Sequence, residues 1–164
     1  MLKLVPMTDE IFDSWFAASV DRQAEDRAQI SGRPVSVERT ALNEMVPLLL
    51  PDGAETPGHA FWVAQSPSND LVGGLWLGPG PGMSEDERFL FDIYVEPEHR
   101  GRGVGRWMLE TALKRTREQG FTRVALHVLR DNVPALSLYR SLGFQSPDDS
   151  GGAHGITMTR SLIA

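Results

Sequence analysis

The sequence predicts an α/β fold in which helices cover a mixed β-sheet. Three observations predict it. Apolar strand-like runs alternate with amphipathic helical segments through the second half, the first half adds two helical segments and a hairpin, and turns rich in glycine or proline separate these elements. At 164 residues, of which 41% are apolar, the chain is long enough to bury a core. We therefore expect a single domain spanning residues 1–164.

The first half begins with a short strand, LKLVPM, and continues with two helices and a hairpin. The first helix begins at Thr8, because a capping side chain followed by two acids suits the positive end of a helix dipole, and it ends before Gly32. The second helix begins at Ser36 and fades at Pro47 and Pro51. HAFWVAQS and LVGGLWL then form two strands joined by the turn PSND.

The second half alternates strand and helix after the loop GPGPGMSEDE, which contains too much glycine and proline for regular structure. RFLFDIYV is a strongly apolar central strand, and VGRWMLETALKRTREQG is an amphipathic helix that ends at Gly120. TRVALHVL is the next strand. NVPALSLYRSLGF is a helix with Pro134 in its first turn and Gly143 at its end, and GITMTRSLI is the last strand.

Composition and charge exclude several classes of protein. The formal net charge of −6 argues against a general nucleic-acid binder, which would carry a basic face. The chain has no cysteine, so disulfides, thiolate metal sites and a cysteine nucleophile are excluded. No window approaches the ~18 consecutive apolar residues of a membrane helix, and the N-terminus lacks the apolar core of a signal peptide. We expect a cytoplasmic protein that binds neither nucleic acid nor membrane.

The stretch HRGRGVGRW places three glycines and three arginines between a predicted strand and the next helix. The first N–H groups of a helix lack intrahelical partners, and glycines let a ligand approach the backbone, so this pattern favours an anion site, usually for phosphate. The alternative is a tight structural turn with a solvated arginine rim. The spacing fits neither the P-loop nor the dinucleotide fingerprint, which would require a glycine where Arg106 stands.

The context of this turn favours the anion site. Arg100-x-x-Gly103-x-Gly105 follows YVEPEH and precedes an amphipathic helix, and Tyr139 comes seven residues after Asn132. This arrangement resembles the GCN5-related N-acetyltransferase family, which transfers acetyl groups from acetyl-CoA to amines. The resemblance covers residues 88 to 145 with specific motifs, and the whole chain in element order. It implies a mostly antiparallel sheet that splays apart at the acetyl-CoA site.

The resemblance implies acetyl-CoA as cosubstrate and no metal ion. The N–H groups of the glycine turn would hold the CoA pyrophosphate, and the preceding strand would bond the pantetheine arm through its backbone. Asn132 would touch that arm, but its position also suits a helix cap. We expect Arg102 or Arg106 to approach phosphate. The cofactor-binding residues so implied are Ile93, Tyr94, Val95, Arg100, Gly101, Arg102, Gly103, Val104, Gly105, Arg106 and Asn132.

Tyr139 matches the family's general acid, which protonates the departing thiolate. A neutral phenol can donate that proton, and no covalent enzyme intermediate is needed. Its helical spacing from Ala135 and Leu142 also suits core packing, with the hydroxyl at the rim. The resemblance favours the catalytic role.

The sequence leaves the general base open. Asp92 interrupts an otherwise apolar strand, where alternation places it on the face with Leu90 and Tyr94, and a carboxylate there needs a partner or a polar cleft. His127 lies in the next strand, at a position where some family members carry a glutamate base, and imidazole titrates near neutral pH. Each residue also has a purely structural interpretation. Asp92 would bond to backbone or to an arginine, and His127 would have its hydrogen bonds satisfied within the sheet. Ordered water is a third candidate, because many members of the family use it.

The acceptor is expected to be a primary amine of a small molecule or peptide. In the family the two N-terminal helices and the following loop wall the acceptor site, and here these would supply Trp15, Phe16, Asp21, Glu25, Asp26 and His59. The alternatives are a non-catalytic CoA-binding or regulatory domain on the same scaffold, and an interaction protein whose turn binds nothing. The family also makes a homodimer plausible, through the sheet edges or the C-terminal strand.

Overall fold

Within residues 1–146 and 155–163, which the computed structural model describes, the chain forms two compact units. The larger unit, Met1–Pro6 with Ala60–Ala164, contains a β-sheet, and the smaller unit, Met7–His59, contains two helices. That the whole chain acts as one domain stays a prediction. The strands are β1 (Lys3–Pro6), β2 (Ala60–Gln65), β3 (Leu71–Gly78), β4 (Glu87–Val95), β5 (Arg123–Leu129) and β6 (Gly155–Ser161). The α-helices are α1 (Asp9–Ser31), α2 (Val35–Leu49), α3 (Val104–Glu118) and α4 (Val133–Ser141).

The sheet of the larger unit has the strand order β1-β2-β3-β4-β5-β6. Neighbouring strands are antiparallel except β4 and β5, which are parallel because α3 crosses between them. The predicted mixed, mostly antiparallel sheet is therefore confirmed. The loop between β3 and β4 contains no helix or strand, as its composition predicts.

Helix α3 packs its apolar face on the sheet. Met108, Leu109 and Ala112 are fully buried in the main core, whereas Trp107 and Thr111 are only partly buried. Gly73 of β3 permits this approach, because a Cβ there would lie 2.9 Å from Met108 Sδ. The start of α3 is thereby fixed against the middle of the sheet.

Strands β4 and β5 separate beyond their first few residues. They pair from Glu87 opposite Arg123 to Leu90 opposite Leu126, and no farther. Beyond that point β4 continues along β3 to Val95, and β5 continues along β6 to Leu129. The two central strands therefore leave a gap between their C-terminal halves, as the resemblance implies.

A β-bulge lies in β4 where this gap opens. Trp76 of β3 lies opposite Asp92, but the next residue, Leu77, lies opposite Leu90, so Phe91 is the extra residue. Asp92 therefore shares a face with Trp76, whereas Leu90 lies on the opposite face. The predicted placement of Asp92 with Leu90 is wrong, because simple alternation takes no account of the inserted residue.

The smaller unit consists mainly of α1 and α2. The Thr8 hydroxyl accepts the N–H of Ile11 at 3.3 Å, and Gly32 ends α1 in the left-handed conformation at φ 74°, both as predicted. A small core joins the helices, formed by Val20, Ala24 and Leu42 with Phe16, Val35 and Val46 around them.

Helix α2 runs through Pro47 and ends at Leu49, between the two prolines at which the sequence predicted that it fades. A proline removes one backbone donor, but the Leu50 N–H still bonds the Val46 carbonyl at 2.7 Å, so the last turn persists. No helix in the described ranges is both long and apolar enough to span a lipid bilayer.

Candidate active site

The glycine turn leads from β4 into the N-terminus of α3. A single 3-10 turn, Pro97–His99, is followed by Gly101 at φ 73° and Gly103 at φ 79°. Both are in the left-handed region, which costs a residue with a Cβ ~1–2 kcal/mol. A Cβ at either position would meet nothing within 4 Å, so the conformation and not crowding favours glycine here.

The N-terminus of α3 is left without a side-chain cap. Gly103 is the N-cap residue, and the first turn contains no acid. The first intrahelical bond at this end runs from the Trp107 N–H to the Gly103 carbonyl at 3.0 Å. The N–H groups of Val104, Gly105 and Arg106 precede that bond, so they are available to an anionic ligand.

Two of the three arginines in the turn are held by the protein. Arg100 Nε donates to the Val95 carbonyl at 2.9 Å, and its guanidinium lies 5.1 Å from the centre of the Tyr94 ring. Arg106 donates to Ser141 Oγ at 2.5 Å and lies 3.7 Å from a Glu110 carboxylate oxygen. Arg102 is exposed, and no hydrogen bond or ion pair to the described residues fixes its side chain. Arg102 is thus the arginine most available to a phosphate group.

The end of β4 presents backbone groups to the gap. The Glu96 N–H bonds the Val72 carbonyl on the β3 side, so alternation turns the Tyr94 backbone towards β3 as well. The backbones of Ile93 and Val95 then point towards the gap, where the Val95 carbonyl already accepts Arg100. Among the three predicted residues, the geometry favours Ile93 and Val95 for backbone bonds to a ligand.

Tyr139 lies on α4 in the main core, 8% exposed, with its ring edge-on to Phe144 at 5.8 Å. Burial raises the pKa of its phenol to about 12, and the nearby negative charge of Asp92 adds to this rise. The hydroxyl therefore keeps its proton at neutral pH and can donate it. The structure brings Tyr139 and Asp92 together.

His127 lies on the same sheet face as Ala125, as predicted, but its ring leans over β6. Its Nδ1 is 3.5 Å from Thr157 Oγ1, and a Cβ on Gly155 would lie only 2.5 Å from its Nε2. Partial burial lowers the pKa of the imidazole, so the ring is neutral at pH 7. His127 is the first residue of β5 beyond the pairing with β4, and its ring lies beside Thr157 and Gly155 of β6.

Asn132 caps α4, because its side-chain oxygen accepts the Ala135 N–H at 3.3 Å. The amide nitrogen of the same side chain is not used by this cap, so the predicted contact with a ligand remains compatible with capping.

Sequence reasoning missed the aromatic residues beside the bulge. Phe91 stacks on Trp76 with ring centres 4.2 Å apart, and Phe89 meets Phe91 edge-on at 5.1 Å. The run FLF and the tryptophan of the hairpin were visible in the sequence. Nothing in the sequence pattern marked Phe91 as the inserted residue.

Comparisons with known proteins agree with this geometry. The profile of the Acetyltransferase (GNAT) family matches residues 21–144. YycN of Bacillus subtilis (strain 168), an uncharacterized N-acetyltransferase, is 31% identical over 148 residues, which are 90% of this chain and 94% of YycN. YdgE of the same organism, also an uncharacterized N-acetyltransferase, is 30% identical over 86% of this chain and 90% of its own.

Solved structures show the same fold. The crystal structure of YycN aligns with a TM-score of 0.81 at 28% identity, covering 93% of this chain and 97% of that one. The PaiA N-acetyltransferase of Thermoplasma acidophilum, solved in complex with coenzyme A, aligns with a TM-score of 0.72 at 19% identity over 98% and 99% of the two chains. The family match over most of the chain, and the near-complete alignment with YycN, establish that this chain belongs to the GNAT acetyltransferase family and is an N-acetyltransferase.

Proposed function

We propose that the protein transfers an acetyl group from acetyl-CoA to a primary amine by direct attack of the amine on the thioester. The observation that carries the proposal is the gap between β4 and β5, which opens beyond Leu90, together with the uncapped N-terminus of α3 and the proximity of Tyr139 to Asp92. The coenzyme A found on the similarly folded PaiA enzyme supports the choice of cosubstrate.

The described residues fit coenzyme A. The N–H groups of Val104, Gly105 and Arg106 suit the pyrophosphate, and Arg102 adds a positive charge beside them. The backbones of Ile93 and Val95 suit the amide groups of the pantetheine arm, which would run beside β4 as an added strand does. The bound molecule supplies an acetyl group activated as a thioester.

Residues of this chain supply the rest of the chemistry. The Val95 N–H points into the gap and can stabilise negative charge that develops on the acetyl oxygen. Tyr139 holds its proton at neutral pH and donates it to the leaving sulfur. Asp92 carries the negative charge that attracts the substrate's ammonium group and orients it, and the amine's proton leaves through Asp92 or an ordered water. We prefer Asp92 to His127 for this role because the His127 ring lies against Gly155 and Thr157 of β6.

The test is thermal unfolding with acetyl-CoA, CoA or NADP, followed by an assay of CoA release with amines. A ligand at ~100 times its dissociation constant adds about 2.7 kcal/mol to the unfolding free energy, a rise of several degrees in Tm for a chain of this size. We expect that rise with both CoA species and not with NADP. Binding without release of CoA from any amine would favour a non-catalytic CoA-binding domain.

A matched pair of variants locates the binding site. Gly103→Ala and Gly120→Ala place a Cβ on residues with φ 79° and φ 96° in open space, at opposite ends of α3. Both should lower Tm by a similar amount, because each strains the backbone. Only Gly103→Ala should also reduce the shift caused by CoA. Equal CoA shifts in the two variants would place the cofactor elsewhere.

The proposal places the enzyme in the cytoplasm, with a small-molecule or peptide amine as its partner. The expected homodimer is tested by light scattering on the purified chain.

A further inference from the structure

The rings of three strands form a continuous stack that ends at the gap. Phe61 of β2 stacks on Trp76 of β3 with ring centres 5.2 Å apart, and Trp76 stacks on Phe91 of β4 at 4.2 Å with an interplanar angle of 14°. Phe89 then meets Phe91 edge-on. Phe61 and Trp76 are 5% and 3% exposed, whereas Phe89 and Phe91 are only partly buried. The stack therefore holds two partly exposed rings in fixed orientation on β4.

The bulge places these rings beside the carboxylate of Asp92. Asp92 follows Phe91 directly and lies opposite Trp76, so it shares the sheet face of the stack. The other acid of β4, Glu87, lies at the far end of the strand, 3.4 Å from Arg123. Strands β3, β5 and β6 contain no acid. This part of the sheet thus offers one carboxylate and an aromatic wall, which we define as Phe89 and Phe91.

We propose that the acceptor is a primary monoamine with an aromatic ring near its nitrogen, which lies on the aromatic wall while its ammonium group faces Asp92. This inference rests on the proposed function and names the substrate class of that site. Paired aromatic rings stabilise one another by more than the burial of their apolar area explains. Because Trp76 fixes the orientation of the Phe91 ring, the wall suits a flat group. A polyamine would require further carboxylates to match its further charges.

The transfer to such an amine balances. The amine nitrogen forms a bond to the acetyl carbon, and the bond between that carbon and sulfur breaks. The ammonium form gives up two protons, of which one goes to the CoA sulfur and one to solvent. The products are the N-acetyl amine and CoA.

The test compares four amines in an assay of free thiol release: 2-phenylethylamine, 2-cyclohexylethylamine, n-propylamine and 1,4-diaminobutane. The chain has no cysteine, so a thiol reagent reports CoA alone. We expect kcat/KM for 2-phenylethylamine to exceed that for n-propylamine by about tenfold or more, with the difference mainly in KM. Cyclohexylethylamine should lie between them, and diaminobutane should be poor.

Phe91→Leu isolates the wall, because it keeps an apolar side chain and loses the ring. It should abolish most of the preference for the phenyl amine, so that the ratio of kcat/KM for 2-phenylethylamine to that for n-propylamine falls. The control is Phe121→Leu, since Phe121 is also partly buried but lies between α3 and β5 under the Arg88 guanidinium. That variant should keep the preference.

The outcomes separate this inference from the proposed function. Release of CoA with n-propylamine or diaminobutane at least as fast as with the phenyl amine overturns the inference and leaves the proposed function standing. An unchanged preference in a folded Phe91→Leu also overturns it. No release with any of the four amines, together with no CoA effect on Tm, overturns both.

Discussion

At the scale of single residues, Tyr139 shows how burial and a nearby charge keep a phenol protonated. The sequence identified it through its distance from Asn132 and left two roles open, the proton donor that the resemblance favoured or core packing with the hydroxyl at the rim. The sequence did not show that Asp92 lies close enough to raise its pKa further, because that proximity depends on how the fold places α4 relative to β4. The sequence identified the residue, but only the fold shows which charged group lies near it.

Changing Tyr139→Phe should lower kcat by roughly 10²-fold and leave the KM for acetyl-CoA nearly unchanged. The variant removes the proton donor to the leaving sulfur but keeps the ring that packs on Phe144. Steady-state kinetics measure both constants, and an undiminished CoA-induced rise in Tm shows that the cofactor site survives. A kcat close to that of the wild type would remove Tyr139 from the mechanism.

Changing Asp92→Asn should lower the pKa of Tyr139 from about 12, because the variant removes a negative charge that opposes ionisation of the phenol. The chain has two tyrosines, so the ultraviolet difference between each protein and its Tyr139→Phe version isolates this phenol. A rapid jump to alkaline pH measures ionisation before unfolding. If the midpoint does not move, the two groups do not interact as the structure indicates.

At the scale of elements, the sequence predicts helix ends and strand order better than it predicts register. Thr8 and Gly32 bound α1 through local chemistry, which the sequence contains. The β4 bulge depends on how β3 packs Trp76 against Phe91, a contact between strands that no local pattern encodes. For that reason the fold class and the glycine turn were predicted correctly, and the face of Asp92 was not.

The turn between α1 and α2 is held by a carboxylate that the sequence did not single out. Glu38, with a side chain 3% exposed, accepts Ser31 Oγ at 2.8 Å and Arg33 Nε at 2.9 Å. The hydrogen bond from Ser31, with help from Arg33, lowers the pKa of Glu38 below its usual 4.5 despite the cost of burial. Its stabilising effect is thus present above pH 4.5 and is lost as pH falls through the lowered pKa.

Changing Glu38→Gln should therefore lower the unfolding free energy at pH 7, and the difference from the wild type should shrink in acid. Urea unfolding at pH 7 and at pH 3.5 measures both effects. Asp21→Asn is the control, because the Asp21 ion pair with Arg39 is exposed and contributes about 1 kcal/mol or less. A deficit for Glu38→Gln that is as small as that of the control would show that the buried carboxylate does not hold the turn.

At the scale of the whole molecule, three titrating groups set the pH range in which the fold is most stable. Burial lowers the pKa of His127 below 6.5, so protonation of the unfolded chain costs stability as pH falls below 6.5, and Glu38 adds a second loss below 4.5. The pKa of Tyr139 is raised from 10 to about 12, so its contribution is lost as pH rises through that interval. These directions predict a plateau of stability between about pH 6.5 and pH 10.

The alkaline limb of this profile tests whether the tyrosine proposed as the acid is also the group that the fold keeps neutral. Tyr139→Phe has no phenol to ionise at that position, so its unfolding free energy should stay flat from pH 10 to pH 12, where that of the wild type falls. His127→Gln should likewise flatten the profile just below pH 6.5 and leave the alkaline limb unchanged. Urea unfolding across pH measures both limbs. A wild-type alkaline limb that persists in Tyr139→Phe would assign it to other groups, such as lysines, and would show that burial does not hold this phenol neutral. Because the phenol that the fold keeps neutral in alkali is also the proposed donor to the leaving sulfur, the change in the stability profile and the fall in kcat should both identify Tyr139.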